Sequence, residues 1–142
     1  MVLAGCSRIA IVAVGYEQQH WRNIQDMFDG SDWVDLRTSM PRDLEGKARF
    51  KPDMNFVDDV AQSPSFFDAV HETVGKAIVC TSVLPVGCKA GRHRAPTIAR
   101  ASQDILMKLG YSVVVVEMAL VQLFLVRDVI NIVQDMAYVL AR

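Results

Sequence analysis

Seven consecutive residues, Cys88-Lys89-Ala90-Gly91-Arg92-His93-Arg94, have the types and spacing for oxyanion chemistry. They follow an apolar run and lead into a stretch with helical periodicity. A loop between a strand and a helix aims several backbone N–H groups at one point, and the helix N-terminus adds partial positive charge. Gly87 and Gly91 let the backbone take positive φ and approach a ligand closely. Arg94, at the start of the helix, can hold a phosphate through two parallel N–H bonds, and Lys89, Arg92 and His93 add positive charge. Pro96 falls in the first helical turn, where its missing N–H is no loss. The stretch reads as a site for phosphate, sulfate or a similar oxyanion. A histidine at position 93 would make binding sensitive to pH near neutrality.

Cys88 leaves two chemistries open. Backbone donors and a helix N-terminus favour the thiolate form of a cysteine, and a thiolate aimed at a bound phosphoryl group can attack phosphorus. In the other reading Cys88 is only part of the wall of a binding loop. An enzyme would also need a general acid, for which Asp53, Asp58 and Asp59 are candidates. Asp35 and Arg37 lie two apart in a short strand and so face the same side. They form either a structural ion pair at the strand end or a second phosphate contact in which Asp35 orients Arg37. His20 and His71 read as surface or capping residues, and Cys80 as a small buried hydrophobe.

The elements that must position these residues alternate in type. "RIAIVAVGY" (8–16) is a strand buried on both faces. "EQQHWRNIQDMF" (17–28) sets Trp21, Ile24 and Phe28 at helical spacing, with Gly30 as a stop. "DWVDLR" (32–37) is a short strand, and residues 38–54 form a long loop of locally positive charge, with Arg42, Lys47, Arg49 and Lys51. Residues 55–62 supply one or two helical turns. A helix over 63–77 opens on Ser63 and Pro64 and buries Phe66, Phe67, Val70 and Val74. "AIVCTSVLPVGC" is a central strand running into the loop, and helix 94–109 buries Ile98, Ala101, Ile105 and Leu109 before Gly110 closes it. "YSVVVVE" (111–117) is a further buried strand, and residues 118–141 form a helix with Arg127, Asp128, Asn131, Gln134, Asp135 and Arg142 on its polar side. This order implies one α/β domain: a small three-layer sandwich with a mostly parallel sheet of about four strands and an added C-terminal helix. Ligands of such sheets sit beyond the carboxyl ends of the strands, where residues 87–94 fall.

Composition narrows the partners. The 142 residues are 51% hydrophobic and 22% charged, which is a folded globule of single-domain size. A net charge of −1 gives no bulk attraction to nucleic acid or an anionic membrane, so any basic surface is local. Three cysteines at irregular spacing, with no C-x-x-C, are neither a disulfide framework nor a zinc site, and they fit a reducing, cytoplasmic setting. The opening "MVLAGC" lacks the basic and apolar regions of a signal peptide. The run "VVVVEMALVQLFLV" is broken by Glu117 and Gln122 and is shorter than the roughly 18–20 apolar residues of a membrane span. The wide apolar face of 118–141 either covers the sheet or builds a homodimer contact. Nothing in the pattern calls for a cofactor or a metal.

Two resemblances attach to these residues. Cys88, Gly91 and Arg94 form a C-x-x-G-x-x-R stretch that resembles the phosphate loop of the cysteine-dependent tyrosine and dual-specificity phosphatases. That resemblance implies Cys88 as nucleophile and Arg94 as the phosphoryl holder. Those enzymes usually have His before the cysteine and Ser or Thr after the arginine; here the residues are Gly87 and Ala95, with Thr97 further on. "VGCKAGRHRAPTIA" also resembles the loop of the RapZ (RNase adapter protein) C-terminal domain family, with its His-Arg pair at His93–Arg94. The match runs on through "DWVDLRTSMPRD", "FVDDVAQSPSFFDAV" and "YSVVVVE", over roughly residues 8–117. It implies a domain that binds an amino-sugar phosphate and contacts small RNA and an RNase. Carried over, the oxyanion site is Cys88, Lys89, Ala90, Gly91, His93 and Arg94, with Asp35 and Arg37 beside it. Here Ala90–Gly91 replaces the family's Gly-Gly, Ala95 its Ser and Met40–Pro41 its Asn-Pro, and no G-x-x-x-x-G-K-[ST] occurs. The expected ligand is thus a phosphorylated small molecule or free phosphate, with RNA or a protein as a further partner and no membrane.

Overall fold

The computed structural model describes residues 8–28, 33–39, 65–79 and 83–141. Its centre is β1 (Arg8–Gly15), buried along almost its whole length. β3 (Val83–Cys88) pairs with one edge of β1 and β4 (Ser112–Glu117) with the other. β2 (Val34–Asp35) pairs with the far side of β3, giving the order β2-β3-β1-β4 with every pairing parallel. Gly15 stands opposite Cys88, and Asp35 opposite Gly87. The carboxyl ends of β1, β2 and β3 therefore meet at one edge of the sheet.

Alternation along β1 divides the core in two. Ile9, Ile11 and Ala13 face α3 (Phe66–Val79) and α4 (Arg94–Lys108), against Val70, Ile98, Ala99 and Leu106. Ala10, Val12 and Val14 face α1 (Gln19–Arg22) and α5 (Val126–Ala141), against Trp21, Ile24, Met118, Val126 and Ile130. The result is the expected α/β three-layer sandwich, with its sheet wholly parallel. α2 (Leu36–Ser39) is a single turn directly after β2.

Several elements differ from the sequence reading. The helix expected over 17–28 is a single turn, α1, followed by a 3-10 turn at Gln25–Met27; Trp21 and Ile24 are still buried. The strand expected to end at 37 stops at Asp35, so Arg37 sits in α2. The apolar residues Ala77–Val79 close α3 and do not begin β3. α3 buries Ala69, Val70, Thr73 and Ala77, while Phe67 is 78% exposed. α4 buries Ala95, Ile98, Ala99, Ser102 and Leu106, leaving Ile105 and Leu109 exposed. The helix expected over 118–141 starts only at Val126, after 3-10 turns at Met118–Leu120 and Leu123–Leu125 that expose Leu120 and Phe124. Gly110 closes α4 at φ 100°, with the Tyr111 N–H donating to the Leu106 carbonyl at 3.0 Å. Gly30, Ser63, Pro64, Cys80 and residues 40–62 lie outside the described residues.

Candidate functional site

The loop between β3 and α4 is folded against the end of β1. The Tyr16 N–H donates to the Cys88 carbonyl at 2.9 Å and the Glu17 N–H to that of Lys89 at 3.2 Å. Gly91 takes φ +76°, and a Cβ there would lie 2.5 Å from Gly15 N. Both facts demand glycine. This turn brings the Gly91 N–H to within 3.2 Å of Cys88 Sγ, to which it donates. Cys88 is a free cysteine, 3% exposed, with its side chain on the α4 side of the sheet. Ala95 and Pro96 are buried in the first turn of α4, and Lys89 and Arg92 are exposed. His93 and Arg94 are half-buried where the helix begins.

Gly87 was expected to need positive φ and does not. It is glycine for space: a Cβ would lie 2.3 Å from Tyr16 Cε2. Tyr16 in turn donates its hydroxyl to the Val34 carbonyl at 3.0 Å. Burial, with the negative charge of Asp35, pushes that hydroxyl far above its ordinary pKa, so it remains a donor.

Asp35 and Arg37 do come together, by a different route from a shared strand face. The strand ends at Asp35, whose Oδ1 accepts the Arg37 backbone N–H at 3.0 Å as the chain enters α2. The guanidinium then closes on both carboxylate oxygens, Nε to Oδ1 at 3.0 Å and Nη2 to Oδ2 at 2.9 Å. Glu17 Oε2 lies 3.7 Å from Arg37 Nη1, and the guanidinium stands over the Tyr16 ring, 5.1 Å from its centroid. Burial opposes ionisation of Asp35. The bonds from Arg37, with the charges of Arg37 and Arg94, outweigh it and hold the carboxyl below its ordinary range. Arg94 therefore acts on Asp35 across the sheet edge, which puts Asp35 and Arg37 in one neighbourhood with the start of α4.

Tyr16 and Glu17 were missed by the sequence reading. The signal was present: in a parallel sheet the residues just past each strand crowd one edge, so the Gly-Tyr-Glu after β1 belonged with the loop after β3. His20, read as surface or capping, donates Nε2–H to the Val121 carbonyl at 2.8 Å, and His71 is exposed. The general-acid candidates Asp53, Asp58 and Asp59 lie outside the described residues. Among the described residues no cluster of His, Cys, Asp and Glu is placed to hold a metal ion, and no helix is long and apolar enough to cross a membrane.

The site thus belongs to an α/β domain with a strand–loop–helix cradle at its carboxyl edge. No family model matches the sequence, and no curated protein or solved structure matches the chain.

Proposed function

We propose that the chain is a phosphate-binding domain that takes a phosphorylated small molecule, such as a phosphosugar, at residues 88–94, in a cytoplasmic metabolite-sensing or adapter role. The observation that carries this reading is the inward turn at Gly91. It sets a backbone N–H at the mouth of Cys88, beside the start of α4 and Arg94, where an oxyanion would find donors and positive charge together. If RNA is a further partner, binding would fall steeply with salt and weaken on changing Arg42, Arg49 and Lys51.

The Gly91 N–H aimed at Sγ supports a second reading, a cysteine-dependent phosphatase with Cys88 as nucleophile. Two features weigh against it. Asp35, which stands opposite Gly87 in the sheet, is held ionised by Arg37 and is a poor general acid. Ala95, fully buried, stands where such enzymes carry a hydroxyl. Phosphate release from an aryl phosphate, with thermal melting in phosphate, separates the two. The binding domain predicts no release from wild type, melting raised by phosphate, little change in Cys88→Ser and loss of the effect in Arg94→Ala. Release that disappears in Cys88→Ser would replace this reading with the phosphatase.

A further inference from the structure

Tyr16 touches every strand that ends at the site. Its N–H binds the Cys88 carbonyl, its ring fills the space beside Gly87, and its hydroxyl binds the Val34 carbonyl. The ring is itself fixed, edge-on to Trp21 at 5.0 Å and stacked with Trp33 at 5.7 Å. Over this ring stands the Arg37 guanidinium, which is bonded to both carboxylate oxygens of Asp35. An arginine on a turn after a two-residue strand would otherwise sample many rotamers, at a cost on binding. The geometry points to Tyr16 as the positioning residue of the anion site: its ring holds Arg37 at the carboxyl edge, so that a phosphate in the Cys88–Arg94 loop meets a second guanidinium already in place. This rests on the phosphate-binding reading above and adds to it a residue that never touches the ligand through its own side chain. Asp35 holds Arg37 through both carboxylate oxygens, and Glu17 Oε2 lies 3.7 Å from its remaining amino group.

Calorimetric titration with inorganic phosphate tests this. Arg37→Ala and Tyr16→Leu should each weaken binding about fivefold, and the double variant should be no weaker than either alone. Tyr16→Phe, which keeps the ring and loses only the bond to Val34, should recover binding to within about twofold of wild type. Arg37→Lys should behave as Arg37→Ala, because an ammonium cannot hold both Asp35 oxygens in the fixed fork that a guanidinium provides. Where melting shows Tyr16→Leu to be unfolded, Tyr16→Phe, Arg37→Ala and Arg37→Lys decide. Additive losses, a silent Arg37→Ala or full binding by Arg37→Lys would overturn the inference while Arg94→Ala still abolishes binding. Failure of wild type to bind phosphate, or tight binding by Arg94→Ala, would remove the anion site itself and this inference with it.

Discussion

A methyl group at position 91 has nowhere to go. The backbone there is left-handed, at φ +76°, and a Cβ would press on Gly15 N at 2.5 Å, on main chain that cannot swing aside. Gly91→Ala should therefore cost about 2–4 kcal/mol in urea unfolding, from the conformational penalty and the overpacking together. Gly75 is the contrast, since it lies inside α3 and a methyl group added there would meet nothing within 4 Å. Gly75→Ala should stabilise by about 0.5–1 kcal/mol in the same assay. Asp35 gives a prediction in pH. Its folded carboxyl titrates below the ordinary 3.8, so the unfolded chain takes up the proton first. The stabilisation is complete above the ordinary carboxylate pKa and disappears as pH falls through the folded value. Asp35→Asn should be less stable than wild type at neutral pH, with the gap closing below about pH 4. Unfolding midpoints taken down the acid limb would show it, and a constant gap would mean that Asp35 acts through shape alone. Asp26, lowered by its bond to Arg127, titrates in the same direction and keeps part of the acid limb in the variant.

At the scale of elements, the orientation of α4 decides which isoleucine matters. Ile98 and Ile105 both belong to the face that hydropathy picks out, yet Ile98 is 0% exposed and Ile105 39%. Ile98→Ala should cost about 3 kcal/mol and Ile105→Ala less than about 1 kcal/mol in urea unfolding. Equal costs would mean that the helix is rotated from the orientation described. The rotation shows what the sequence pattern misses. Hydropathy weights large side chains, whereas Ala95, Ala99 and Ser102 set the contact because small residues let α4 approach the sheet. The same limit applies to residues 77–88, where one apolar run holds the end of a helix and a strand, and periodicity cannot divide them. Trp21, Ile24 and Phe28 keep their helical spacing, but a short helix and a 3-10 turn satisfy it as well as one long helix. The strand–loop–helix unit was legible because Gly91 and Pro96 each fix a backbone requirement locally. The Asp35–Arg37 pair was legible as a pair and not as geometry, because the break after Asp35 comes from its carboxylate accepting the Arg37 N–H.

For the molecule as a whole, the question is whether the C-terminal segment is an addition to a complete domain or a layer of it. A domain ending at Glu117 would retain the α3 and α4 face of the sheet. On the other face, Ala10, Val12 and Val14 would keep the cover of Tyr16, Trp21 and Ile24 but lose Met118, Val126, Ile130 and Val133. Polar contacts reinforce the apolar ones across the same boundary. Arg127 Nη1 donates to the Asn23 carbonyl at 2.7 Å and to Asp26 Oδ1 at 3.0 Å, and His20 donates to the Val121 carbonyl. These polar contacts run from residues 121–127 to residues 20–26, the stretch that follows Tyr16 and Glu17 at the β3–α4 loop. The segment is therefore a structural layer that also braces the stretch leading from β1 past the β3–α4 loop. Truncation after Glu117 should abolish the cooperative urea transition, because a parallel sheet bare on one face leaves a central strand half-solvated. Ile130→Asp, a single change at a fully buried position, should destabilise by more than about 4 kcal/mol, since it loses apolar burial and places an unpaired carboxyl in the core. Arg127→Ala should cost only about 1 kcal/mol, as its side chain is half exposed and its partner Asp26 more so. A truncated chain that still unfolds cooperatively, with its melting still raised by phosphate, would show instead that residues 8–117 are a complete domain and the last helix an appendage.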